Sequence, residues 1–432
     1  MSTAPVQYLL NSDTLCKRCS EKNAVLISRR DAFCLDCFVW FVRGKQRKLM
    51  LNERYKVKYG AVAEKLGTQK VLLPLSFGTS SLVLLDMVAS LLREQNLAHK
   101  GKQGFELVVL HILEENGPSK AEAELIMHEL LLRYDPVTVH YRIIDPEMFL
   151  LDKKSLQRIQ VSAEFDVLSK QQQLGNSLTV LLLLESCRTN SSRADLLQLI
   201  YHDLIIQSAI QLRCNTILLG HSMTRLASEI LSMTVKGRGV EIHEAIADRS
   251  ISYEGNEFHI IFPFRDILFA EVEAVLSLTD GLKQFHVETS KGTSIAKNMT
   301  VQALSTKYFD DLGANGYAST ASTVVKTAEK LGAPKCEITA KCRICQADIY
   351  TNPKQWLKSI TVNAAAPLET EAEVELAEGY AKVIGKSHVS GDSLDVCYGC
   401  TVMLLGAGDQ FAWPMRATRE EILDEFVLTD EE

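Results

Sequence analysis

The sequence predicts an α/β fold: a parallel-sheet domain flanked by cysteine-rich modules at its N- and C-terminal ends. Three observations predict it. The middle of the chain alternates short apolar runs with stretches at helical spacing, the pattern of parallel βαβ units. One of these units, Lys70 to Leu92 (KVLLPLSFGTSSLVLLDMVASLL), sets a loop of small hydroxyl residues around Gly78 between an apolar strand and a helix. Eight of the 11 cysteines fall into four C-x-x-C pairs, two toward each end.

A chain of 432 residues that is 46% hydrophobic can bury one large core and carry a further small module. Its net charge of -7 argues against wholesale coating of nucleic acid, while local basic patches stay compatible with RNA. The opening MSTAPVQYLLNSD lacks a basic stretch followed by an apolar core, and the longest apolar run, Leu178 to Leu184, is far below a membrane span. The expectation is a soluble, untargeted, cytoplasmic protein with no membrane partner. In such a chain paired cysteines read as metal thiolates rather than disulfides.

Cys16 and Cys19 are followed after fourteen residues by Cys34 and Cys37, a spacing that brings four thiolates around one zinc. So short a segment would otherwise lack a core. Four reduced cysteines without metal are the bland alternative. A redox pair is disfavoured because neither pair shows the strand-to-helix setting such a pair needs. Next, between Phe38 and Tyr59, Arg43, Lys45, Arg47, Lys48, Arg54, Lys56 and Lys58 interleave with Trp40, Phe41, Tyr55 and Tyr59. Cations that neutralise phosphate beside aromatics that stack on bases suit an RNA contact. A helix with one solvated face fits equally well, and both readings stay open.

From Val71 the pattern reads as strand Val71–Leu75, helix Ser81–Glu94, strand Phe105–Ile112, helix Lys120–Arg133 and strand Thr138–Ile144. Asp152 to Asn176 is polar with helical spacing in its middle. Leu178–Leu184 is either a buried strand or an apolar helix, and Asp195–Leu212 is a helix. Strand Thr216–Leu219 ends in Gly220-His221, and Phe258–Leu268 closes the α/β core before a helix carrying acidic residues to Leu276. Thr279 to Gly332 is expected to be partly irregular, with one helix over residues 317–332. Ligands of such sheets bind beyond the carboxyl ends of the strands, where Ser76–Ser81 lies, and Lys70–Leu92 is expected at a sheet edge.

The metal theme returns with Cys342, Cys345, Cys397 and Cys400, separated in the middle by 51 residues. Glu369, Glu371, Glu373, Glu375 and Glu378 mark that gap as a solvated acidic insertion. A zinc ribbon with a long loop is the expected form, with Cys336 and His388 as substitute ligands. The acidic tail from Glu420 begins as a short helix. The expected division is a zinc module with a basic helix (1–60), an α/β domain (61–332) and a C-terminal zinc ribbon with acidic insertion and tail (333–432).

The order of these features resembles the PP-loop ATP pyrophosphatases that thiolate tRNA, in which two zinc modules flank an adenylating α/β domain of the adenine nucleotide alpha hydrolase type. Active members carry S-G-G-x-D-S; the matching residues here are Ser76, Phe77, Gly78, Thr79, Ser80 and Ser81. Phe77 replaces a glycine and is expected to crowd phosphate, and Ser80 replaces the aspartate. The second signature, G-H-x-x-D-D, reads Gly220, His221, Ser222, Met223, Thr224 and Arg225, with both acids gone. The third, C-x-x-C-G, reads Cys187, Arg188, Thr189, Asn190 and Ser191; after PFRDIL no cysteine follows before Cys336.

The resemblance therefore implies a remnant nucleotide loop (Ser76, Gly78, Ser80, Ser81, His221), doubtful ATP and Mg²⁺ use, no iron–sulfur cluster and a weak sulfur-handling candidate in Cys187. It implies a subunit without catalysis of its own, paired with a catalytic PP-loop paralogue and presenting tRNA. The reaction is then 2-thiolation of wobble uridine, with sulfur arriving from a thiocarboxylated ubiquitin-related carrier. Two other readings stand beside it: a chain that itself adenylates tRNA, and a zinc scaffold without RNA contact.

Overall fold

A computed structural model of the chain describes residues 5–9, 13–67, 69–152, 155, 179–185, 187, 189–253, 255–287, 298–350, 370–372, 375 and 396–405. The chain divides into two units, Met1–Asp152 with Arg193–Ala333 and Lys153–Ser192 with Pro334–Glu432.

The first unit begins with an antiparallel sheet of β1 (Val6–Tyr8), β2 (Leu26–Ser28) and β3 (Asp31–Phe33), which leads into helix α1 (Leu35–Leu49). The main sheet then alternates with helices: β4 (Gln69–Pro74), α2 (Thr79–Ala98), β5 (Phe105–Ile112), α3 (Lys120–Leu132), β6 (Val139–Ile144), α4 (Asn190–Leu212), β7 (Thr216–Leu218) and α5 (Met223–Val235). β8 (Arg249–Tyr253), β9 (Asn256–Ile261) and α6 (Phe269–Leu278) complete it, followed by α7 (Val301–Ala314) and α8 (Ser319–Glu329).

The strand order is β6-β5-β4-β7-β9-β8, parallel except for the antiparallel edge strand β8. The apolar runs of β4 and β5 suit strands covered by helices on both faces. β4 is interior, paired with β5 on one side and β7 on the other, which corrects its expected place at an edge. From β4 the chain first builds outward to β6 and then returns to add β7 on the other flank. That reversal makes a crevice at the carboxyl ends of β4 and β7, the usual ligand position in open α/β sheets.

Several expectations change. β8 was not foreseen; it pairs with β9 across a turn in which Gly255 adopts φ +77°. Val180–Glu185 is helical. The segment expected to hold one helix holds two, α7 and α8, which bury Phe309, Ala321, Val325 and Ala328 against α5. The N-terminal module does not lack a core. Leu26, Phe33, Phe38, Val42, Met50 and Tyr55 are buried in the same apolar cluster as β4, β5 and α2. A charged clip reinforces this docking. Glu271, in the first turn of α6, is fully buried and accepts from Arg29 Nε and Nη2 at 2.6 and 2.7 Å, from Ser28 Oγ at 3.0 Å and from the Leu268 N–H at 2.9 Å.

In the second unit, β10 (Ala340–Lys341) and β11 (Asp348–Ile349) form a hairpin, and α9 spans Tyr398–Leu405. Glu371 and Glu375 of the acidic insertion are helical and exposed; Glu369, Glu373, Glu378, His388, the tail from Glu420 and residues 156–178 lie outside the described residues.

Candidate functional site

The loop Ser76–Ser81 joins β4 to α2, so the first-turn N–H groups of α2 face the crevice. Ahead of them, at the N-cap, the loop's own side chains bond to one another and to Gly78. The Gly78 N–H donates to Ser76 Oγ at 3.4 Å, Ser81 Oγ donates to the Gly78 carbonyl at 3.0 Å, and the Ser76 and Ser81 hydroxyls lie 3.3 Å apart. The segment after α6 lies across the loop: the Val287 N–H donates to the Phe77 carbonyl at 3.1 Å, and His286 Nε2 sits 3.2 Å from Thr79 Oγ1.

Phe77 does not stand in the path of phosphate, which corrects the expected crowding. It takes a left-handed backbone (φ +55°) and turns its ring into the core, fully buried and 4.5 Å from the ring of His111. His111 is buried with Nδ1 2.7 Å from the Leu75 carbonyl and Nε2 without a partner among the described residues. Burial holds its imidazole below the ordinary range.

The second signature closes on the first. A Cβ on Gly220 would come within 3.3 Å of the Ser80 carbonyl, so a side chain there would press on the loop and glycine eases the close approach of the end of β7. His221 packs its ring 5.4 Å from Phe262, and burial, then Arg225, lowers it to about 4. Where active relatives need carboxylates, Thr224 Oγ1 accepts the Phe269 N–H at 3.1 Å and caps α6, and Arg225 reaches Glu229 at 3.8 Å. These side chains serve helix ends and surface pairing.

The two cysteine groups are each drawn together. Within Cys16, Cys19, Cys34 and Cys37, and within Cys342, Cys345, Cys397 and Cys400, all sulfurs lie within 4.8 Å of one another. Cys336 is exposed and outside the second group. Both are built alike. The first pair forms a knuckle in which the Cys carbonyl accepts an N–H four residues on: Ser20 to Cys16 at 2.8 Å and Gln346 to Cys342 at 2.9 Å. Ser20 and Gln346 both turn the chain with positive φ. The second pair begins a helix: Cys34 is the N-cap of α1, and Cys397 immediately precedes α9. Burial nevertheless pushes the thiols at the first of these helix starts up, Cys34 above its ordinary value and Cys37 to about 12. Burial opposes charge on Cys16, but N–H donors from Cys19, Cys34 and Arg18 bring its thiol down to about 6. Cys34–Cys37 does lie between a strand and a helix, so the argument against a redox pair rests on the four converging sulfurs instead.

The basic stretch splits. Arg43 donates to Ser90, Arg47 pairs with Glu94 at 2.5 Å, and Lys45 reaches the Asp266 carbonyl at 3.3 Å beside the Phe41 ring, where burial lowers it to about 8. Lys56 pairs with Glu53 and Lys58 donates to the Arg54 carbonyl. Tyr55 is buried against Phe105 at the start of β5, so Arg54, Lys56 and Lys58 lie near the opposite end of the sheet from the loop. Lys48 and Arg54 make no ion pair among the described residues. One continuous RNA-facing run is therefore not what folds.

Residues 300–402 match the family described as cytoplasmic tRNA 2-thiolation protein 2. A relative of that name from Scheffersomyces stipitis is 48% identical over 99% of each chain, and one from Debaryomyces hansenii is 47% identical over 99% of each. The chain belongs to the cytoplasmic tRNA 2-thiolation protein 2 family. Among solved structures, the U34-tRNA thiolase NcsA from Methanococcus maripaludis with its [4Fe-4S] cluster superposes with a TM-score of 0.50 at 15% identity, covering 83% of this chain and all of that one. The likeness shows a shared PP-loop α/β fold.

In this member of the tRNA 2-thiolation protein 2 family, then, the loop and turn keep the fold's shape, with the hydroxyls of Ser76 and Ser81 turned to Gly78 and to each other. Cys187 is half-buried and its N–H donates to the Leu184 carbonyl at 3.2 Å. The residues that sequence reasoning missed are Arg29 and Glu271, which hold the N-terminal module in place, and His286, which covers the loop. Their partners lie more than two hundred residues away, beyond any local pattern.

Proposed function

We propose that this chain is the non-catalytic partner in cytoplasmic tRNA 2-thiolation. It pairs with a catalytic PP-loop paralogue, contributes tRNA-binding surface and leaves ATP chemistry to that paralogue. Sulfur then reaches U34 of tRNAs of the Lys, Glu and Gln type from a thiocarboxylated ubiquitin-related modifier through the complex. The observation that carries this reading is the covered loop: Ser76, Gly78 and Ser81 bond to one another, the His286–Val287 segment lies across it, and Thr224 and Arg225 stand where acids would position Mg²⁺.

Each cysteine group is read as a zinc site. A Zn–S bond of about 2.3 Å in a tetrahedron spaces sulfurs about 3.8 Å apart; Cys19 and Cys34 are 3.9 Å apart and Cys345 and Cys397 3.6 Å. A cluster with one thiolate on each iron holds its sulfurs further apart than a single ion does. With four cysteines there is no open coordination position, so the metal supplies cross-linking rather than Lewis-acid chemistry. Within the basic stretch, Lys48 is the residue best placed to meet phosphate, while Arg43, Lys45 and Arg47 hold α1 to α2 and to the segment before α6.

Reconstitution with the catalytic paralogue tests the proposal. Thiolation of a tRNA transcript should require this chain yet proceed at the full rate with Gly78→Asp. Thiolation by this chain alone, or its loss in Gly78→Asp with the fold intact, would overturn the assignment.

A further inference from the structure

The outward face of α1 repeats every four residues as Trp40, Gly44 and Lys48, all exposed. Trp40 is 59% exposed, although its indole is the largest apolar group on the helix. One face of it is covered by the Arg18 guanidinium, whose carbon lies 3.4 Å from the ring centre. Arg18 is held between Cys16 and Cys19 in the first knuckle, and its N–H fork meets no acceptor among the described residues. One turn along, Gly44 has ordinary helical backbone and nothing within 4 Å of where a Cβ would stand. Neither conformation nor packing calls for glycine there, and glycine inside a helix costs stability relative to alanine. What it leaves is bare backbone beside an aromatic plate. Lys48 follows, without an ion pair among the described residues, while its neighbour Arg47 turns inward to Glu94.

We infer that Arg18, Trp40, Gly44 and Lys48 form a binding stripe for single-stranded RNA, an inference that rests on the proposed role in tRNA thiolation and adds the surface that grips it. The stripe runs about 12 Å along the helix at 1.5 Å per residue. An unpaired base stacks on the Trp40–Arg18 plate, its sugar crosses the gap at Gly44, and its phosphate meets Lys48. Base faces are offered by loops and single strands, not by duplex, so the stripe selects an unstacked region. The charge pattern favours RNA over a peptide. Lys17 and Lys22 are already paired with Asp31 and Asp36, leaving Arg18 and Lys48 as cations bracketing an aromatic surface.

The test uses the full chain in complex with its paralogue, with a uridine-rich single-stranded oligoribonucleotide and an unmodified tRNA transcript as probes. Trp40→Ala should weaken both about tenfold, the scale of one lost base stack. Lys48→Glu should weaken them and reduce the salt slope by about one. Gly44→Gln is the discriminating variant: it should bind RNA as poorly as Trp40→Ala while its thermal midpoint stays level or rises and its metal content is unchanged. Wild-type affinity in Gly44→Gln and Trp40→Ala overturns the inference, as does loss of co-purification with the paralogue in place of RNA binding. Thiolation with and without the wild-type chain, run in parallel, separates this failure from failure of the functional proposal: thiolation that still requires the chain while RNA affinity is unchanged in the variants overturns the stripe alone.

Discussion

Phe77 stands where the PP-loop signature has a glycine, and its ring is part of the core. Its left-handed backbone carries a cost that a glycine would avoid, and the fully buried ring offsets it by filling the space against His111. Phe77→Gly should therefore destabilise the chain by about 3–5 kcal/mol in chemical denaturation, a cavity effect, and should not restore ATP binding. Two histidines that desolvation holds low, the buried His111 and the half-buried His221, give the chain an acid sensitivity. His221 is lowered to about 4 in the folded chain, whereas an unfolded histidine titrates near 6.5. Between those values only the unfolded chain takes up the proton, so stability falls as pH drops from 6.5 toward 4. In His221→Asn the denaturation midpoint should fall less over that window, and an unchanged slope would show that His221 does not titrate on unfolding. The sequence located the substituted loop position but not the direction of the Phe77 side chain. A residue type does not reveal a positive φ, and that angle decides whether the ring faces solvent or core.

Among the elements, those buried on both faces were legible and those buried on one were not. β4, β5 and α2 carry apolar residues in runs that exclude most alternatives, and their predicted spans agree with the fold to within a few residues. β8 and α7 are half-exposed, with threonine, serine and charged residues diluting the pattern, and both went unread. The docking of the N-terminal module was illegible for a different reason: it rests on Arg29 and Glu271, paired across the whole length of the α/β core. Arg29→Ala leaves a buried carboxylate without its cation and should cost about 3 kcal/mol. Arg29→Ala combined with Glu271→Leu should recover most of that loss, because the stranded charge is removed as well. Arg29 Nη2 also donates to the Asp266 carbonyl at 3.0 Å, and failure of the double variant to recover would mean that the clip acts through that bond rather than through the carboxylate.

For the molecule as a whole, the account separates what keeps the fold from what performs chemistry. The apolar strands, both four-cysteine groups and the close approach of Gly220 to the loop are intact. The acids of both nucleotide signatures are absent. Metal analysis of the pure chain should give about two zinc per chain on the four-thiolate rule, falling by one in Cys16→Ser and by one in Cys397→Ser. The family's ordered motifs were readable because metal ligands and glycines tolerate few substitutes. Whether the loop still holds a nucleotide was not, because that depends on hydrogen bonds between Ser76, Gly78, Ser81 and the distant His286–Val287 segment. Equilibrium binding of Mg-ATP to the isolated full-length chain measures this directly. The loop covered by His286 and Val287 and lacking both acids predicts no saturable binding up to millimolar nucleotide; micromolar affinity that disappears in Gly78→Asp would contradict it.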